Sequence, residues 1–177
     1  MRRFALTIAA TVIAMPAFAV SESPKPPKPT ATTTSCKDGK IFDEKTKTCL
    51  NAEKQSFNDD DRYRAVRELA YAGEYDRALQ IISTADAQKD PRFLNYRGFI
   101  SRKTGNLSAA MAYYHAALRI DPDYILARSY MGMGLASMGH KSAAKAQLDE
   151  IARRGGAQTW AYEALNAVLS GKHEPTY

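Results

Sequence analysis

"GNLSAAMAYYHAALRIDPDY" runs from Gly105 to Tyr124. A turn residue opens it, an Ala-rich helical run follows, and Asp121-Pro122 brings it to a close. Gly105 has a counterpart 34 residues on, Gly139, and another 32 residues back, Gly73. Ala78, Ala110 and Ala144 recur at the same offsets. Four residues beyond each Ala stands a large apolar or aromatic residue, Ile82, Tyr114 or Leu148; three further on come Ala85, Ala117 and Ile151. Repetition at this period marks a stack of helix pairs, each too small to bury its apolar face alone.

The residue chemistry fits that reading. Gly ends a helix and turns the chain at low steric cost. A small Ala near the start of the second helix lets two backbones approach, and residues four and seven positions later share its face. Asp90 is placed as an N-cap with Pro91 in the first helical turn. "NDDD", Asn58 to Asp61, supplies a cap and negative charge to the first helix N-terminus. The predicted helices are 59–71, 74–87, 91–103, 107–120, 124–138 and 141–154. A seventh lies in "AQTWAYEALNAVLSG", residues 157–171, where it caps the last exposed core face.

With Gly73, Tyr75 and Ala78, then Gly98, Gly105, Ala110, Tyr114, Ala117 and Pro122, then Gly132, Gly139, Ala144 and Leu148, the chain resembles the tetratricopeptide repeat family. The resemblance covers about Asp59 to Arg154 and is most specific in the central copy. Arg62 and Arg128 stand where the family often has a large apolar residue, and Arg97 replaces a frequent Leu. The resemblance implies an all-α superhelix of three helix pairs plus a C-terminal capping helix, over residues 58–171. It also implies a concave groove, lined by the first helix of each pair, that takes a peptide or helix of a protein partner.

Carried over by position, the lining is Asp60, Tyr63 and Arg67, then Arg92, Asn95, Phe99 and Arg102, then Leu126, Ser129 and Met133. Tyr63, Arg67, Arg92, Asn95, Phe99, Arg102 and Met133 are the candidate partner-binding residues. Aromatic and Arg side chains make interaction hot spots. Three guanidinium groups can each take a carboxylate through paired hydrogen bonds, which makes an acidic segment a candidate ligand. The two-Lys, two-Asn carboxylate clamp of some family members is not kept here: Tyr63, Arg67 and Leu126 occupy its places.

Before the repeats the chain changes character. "MRRFALTIAATVIAMPAFA" has a basic start, an apolar centre and an Ala17-Phe18-Ala19 end, the pattern of a signal peptide cleaved after Ala19. The expected location is the bacterial periplasm or the exterior. The 25 basic and 19 acidic residues leave +6, and losing residues 1–19 lowers this to +4. That mild balance, with export, argues against nucleic acid. No further run is long and apolar enough to span a membrane once the signal is removed. Residues 20–35 are rich in Pro, Lys, Ser and Thr and predict an extended, disordered arm.

Cys36 and Cys49 are the only cysteines, and in an exported chain they predict a disulfide that closes a small hairpin over residues 36–49. Zinc would need about four ligands, and no His lies near. Twelve intervening residues are too many for a close redox pair. This loop and the basic arm support an alternative reading, a cell-wall or glycan-binding envelope protein with the repeats as platform.

Catalytic signals are sparse. His115, His140 and His173 lack a second ligand at metal-binding helical spacing. "GMGLASMG", Gly132 to Gly139, falls inside a predicted helix rather than between strand and helix, so it reads as close packing. Adjacent carboxylates such as Asp149-Glu150 do not face one site. The reading is therefore not an enzyme, without cofactor or metal: a protein-interaction adaptor or scaffold, with self-association open to an incompletely capped array.

Overall fold

A computed structural model describes residues 27–173. The expected signal peptide, residues 1–19, and the first part of the expected arm lie outside these residues. The element order is α1 (Ala31–Thr34), β1 (Lys40–Asp43), β2 (Thr48–Asn51), then α2 (Asp59–Tyr71), α3 (Tyr75–Ser83), α4 (Pro91–Lys103) and α5 (Leu107–Ile120). It closes with α6 (Ile125–Ser137), α7 (Lys141–Arg153) and α8 (Trp160–Leu169).

Three antiparallel pairs, α2/α3, α4/α5 and α6/α7, stack in register, and α8 packs on α6 and α7. The architecture is the all-α repeat stack that the sequence predicts. Gly105 and Gly139 turn the chain between paired helices with φ of 87° and 81°, a backbone region that side chains disfavour. The repeated Ala78, Ala110 and Ala144 are fully buried, as are Ile82 and Tyr114 four residues later. Asn58 and Asp61 form a reciprocal capping box on α2, and Asp90 Oδ1 accepts from the Arg92 N–H at the start of α4.

α3 ends at Ser83, earlier than the expected 87, because competing hydrogen bonds take over its C-terminal turn. The Gln88 amide donates to the carbonyls of Ile82, Ser83 and Ala85. The N–H groups of Asp86 and Ala87 donate to the Asp59 carboxylate. The chain is thereby bent away before another helical turn can form.

The unexpected arginines are accommodated by partners. Arg62 is 3 % exposed; its Nε donates to Ala52 O at 3.0 Å, and Nη1 meets Asp59 and Asp86 at 2.9 Å each. Arg128 donates to Pro122 O and Gln147 Oε1, and Arg97 to Gln88 Oε1. A guanidinium in a repeat interior survives because its donors find fixed acceptors.

The expectation of an extended arm up to Ser35 is corrected. Thr30 to Ser35 wraps a helical turn against α2. Glu68, in the last turn of α2, accepts from the N–H groups of Thr30 (2.7 Å) and Thr33 (3.2 Å) and from both hydroxyls. Arg77 of α3 donates to the carbonyls of Thr32 and Asp38. Composition favours a free arm, but saturating one buried carboxylate outweighs the ordering cost of a short turn.

β1 and β2 pair antiparallel, with Phe42 opposite Cys49. Cys36 and Cys49 are joined in a disulfide. Ile41, Ala52 and Phe57 of this segment enter the same core as α2 and α3. The disulfide module is therefore a lid on the first pair rather than a separate bead.

Candidate partner-binding face

The first helices of successive pairs are neighbours: α2 touches α4, α4 touches α6, and α6 touches α8. The face they form carries a ladder of rings. Tyr63 meets Tyr96 at 5.9 Å between centroids, Tyr96 meets Phe99 at 6.0 Å, Phe99 meets Tyr130 at 5.0 Å, and Tyr130 meets Trp160 at 6.3 Å. Tyr71 closes a side branch onto Tyr96 and Phe99 and shares a hydrogen bond between hydroxyls with Tyr130. The tilted and edge-on geometries are those that ring quadrupoles favour.

Cations border the ladder. The Arg92 guanidinium lies 4.9 Å from the Tyr63 centroid, Arg67 lies 5.6 Å from that of Tyr71, and Arg102 lies 5.7 Å from both Phe99 and Tyr130. Each is held at cation–π range. Arg92 is also gripped by Asp90 and reaches Asp60 at 2.7 Å. The Asp90 hydrogen bond, opposed by burial and helped by Asp60, raises the Arg92 pKa above its ordinary value, so the charge is permanent.

The seven candidate residues divide. Tyr63, Arg67, Arg92 and Arg102 are half-buried on this face. Asn95, Phe99 and Met133 are 0 %, 3 % and 2 % exposed. Asn95 Nδ2 donates to the Tyr124 hydroxyl at 3.3 Å, a tie between successive repeats. The space between the first helices is thus filled by the protein's own rings, with Tyr96 and Tyr130 fully buried, and the accessible surface is the half-buried Tyr63, Tyr71 and Trp160 with the guanidinium groups.

Tyr71, Tyr96, Tyr130 and Trp160 were not among the candidates. A signal was present: Tyr63, Tyr96 and Tyr130 recur at offsets of 33 and 34, the period of the turn glycines.

Two cavities flank the ladder. One, of about 760 Å³, lies at the α2 end between the disulfide module and Tyr63, Arg67 and Arg92. The other, of about 360 Å³, lies at the α8 end beside Arg102 and Met133.

Helix pairs stacked through their first helices, with half-buried rings and guanidinium groups along the face between them, define a helical-repeat protein. Residues 91–124, the central pair and the turn that follows it, match the family model of the tetratricopeptide repeat, a match that supports a repeat protein of this kind. That match supports a role in protein–protein interaction in general. Comparison with curated proteins found no match, and comparison with solved structures found none. Among the described residues no helix is long and apolar enough to cross a membrane.

Proposed function

We propose that the protein is an exported adaptor or scaffold that holds a segment of a protein partner across the concave face of its repeat stack. The carrying observation is the ladder from Tyr63 to Trp160 with Arg67, Arg92 and Arg102 along it. The half-buried Tyr63, Tyr71 and Trp160 contribute contact area at little entropic cost, the buried Tyr96, Phe99 and Tyr130 keep the face rigid beneath them, and the guanidinium planes select for carboxylates. The Cys36–Cys49 disulfide supports an oxidising compartment, and the signal-like residues 1–19 support the periplasm as that compartment.

The test is a crosslinking pull-down from the envelope fraction with wild type beside Arg67→Glu/Arg102→Glu, both first shown to be equally helical. Capture of one defined protein by wild type and its loss in the double variant is the expected result. Equal capture by both, or capture of glycan material in its place, overturns the reading.

A further inference from the structure

We propose that the 760 Å³ cavity between the disulfide module and α2 receives an acidic segment of the protein partner, so that the module forms one wall of the binding face. This rests on the concave-face reading above and specifies where the partner's charge is recognised.

Two separate parts of the chain build the cavity. The hairpin turn contributes Phe42, Asp43, Glu44 and Lys45; α2 contributes Tyr63, Arg64 and Arg67. Arg92, stacked over Tyr63, joins the cavity to the ladder without a break. A volume of this size takes several residues of an extended chain.

The charge argument separates engaged groups from available ones. All four carboxylates on the walls are already occupied. Asp43 accepts from Thr46 and the Lys45 N–H; Glu44 pairs with Lys47. Asp61 pairs with Arg64 and caps α2; Glu68 is saturated by Thr30 and Thr33. On the basic side, Lys28 and Lys45 line the cavity and make no ion pair among the described residues. The lining carries five cationic side chains, Lys28, Lys45, Arg64, Arg67 and Arg92, against these four carboxylates, so an incoming ligand meets a wall with one positive charge in excess above the flat Tyr63–Arg92 stack. Acidic side chains flanking an aromatic one satisfy both features.

The probe is a fluorescein-labelled Glu-Glu-Phe-Glu-Glu peptide, with Gln-Gln-Phe-Gln-Gln as the neutral comparison, read by anisotropy at low and moderate salt. Lys28→Glu/Lys45→Glu lies on exposed positions and leaves the fold intact; it is expected to weaken binding about tenfold. The charge-matched pair Lys145→Glu/Lys172→Glu, exposed and outside the cavity lining, is expected to change it less than about threefold. Cys36→Ser/Cys49→Ser, which loosens the module, is expected to weaken binding as the lysine pair does, with the helical circular-dichroism signal retained.

Equal binding of the acidic and neutral peptides overturns the proposal. So does equal loss in the two charge-reversal pairs, or binding of a chitin oligosaccharide where the acidic peptide fails. If the native partner is lost in Arg67→Glu/Arg102→Glu but kept in Lys28→Glu/Lys45→Glu, the concave-face reading stands and this inference falls.

Discussion

The Tyr114 ring of α5 occupies the place of a side chain on Gly98 of α4: a Cβ at Gly98 would fall 2.5 Å from Tyr114 Cε1. The two helices of the central pair are held this close because one has no side chain there. Tyr114 is fully buried, so the ring has nowhere to move.

Gly98→Ala is therefore expected to destabilise the protein by about 2 kcal/mol. Gly134→Ala makes the sharper comparison, because the close contact of its Cβ would be the tip of Met111, with the Arg102 stem at ordinary contact distance. A flexible thioether can shift, and Ala is the better helix former by about 0.5–1 kcal/mol. Urea denaturation of both variants should show a loss for the first and no loss, or a gain, for the second. Equal losses would contradict the packing account.

Glu68→Gln is expected to cost about 1–3 kcal/mol and to loosen the N-terminal lid. The amide keeps the shape but loses the charge that four donors of Thr30 and Thr33 share. Limited proteolysis should then cut between residues 30 and 57 sooner than in wild type. Unchanged protection would mean that Ile41 and Phe57 alone seat the lid.

Asp59 gives the fold an acid-sensitive seam. Burial works against its charge, but the N–H groups of Ala87 and Asp86 and the Arg62 guanidinium outweigh it and lower its pKa below the usual value. A group with a lowered folded pKa stabilises fully above its unfolded value, and that stability is lost as pH falls through the folded one. Stability should hold above about pH 5 and decline below about pH 4, near and under the ordinary carboxylate range. Asp59→Asn should be less stable at neutral pH and show a flatter decline in acid. Parallel curves for the two proteins would exclude Asp59 as a source.

Reducing the disulfide should leave the repeat stack helical while lowering overall stability by up to about 3 kcal/mol, the chain-entropy value for a loop of this size. Far-ultraviolet circular dichroism with and without reductant checks the first part, and thermal melts the second. Large loss of helical signal at room temperature would mean that the lid is needed for the stack to form.

Local rules carried the repeat part of the fold. Turn glycines, small Ala at helix contacts and caps such as Asn58 and Asp90 act over a few residues, so α2, α4 and α5 are bounded as their sequences predict. The lid was not legible in the same way. Glu68 lies 38 residues from Thr30, and its place on α2 reads equally well as a solvated carboxylate. Nothing within a helical period announces that a threonine-rich turn will fold back onto it. The candidate face was half legible: family positions led to Tyr63, Arg67, Arg92 and Arg102. The depth of Asn95, Phe99 and Met133 depends on how tightly consecutive first helices approach, which pairwise spacing does not specify.

The Thr30–Glu68 junction also gives the molecule a mechanical property. If the arm before Pro27 is fastened to some larger structure, tension on it is delivered to a buried carboxylate in the last turn of α2, which packs against α3 and α4. Beyond that grip, the Cys36–Cys49 bond takes its loop out of the extensible chain, about 45 Å of slack at full extension for 13 residues. An applied pull thus meets a short, stiff coupling into the repeat stack, and the candidate face bears load without first drawing out loose chain.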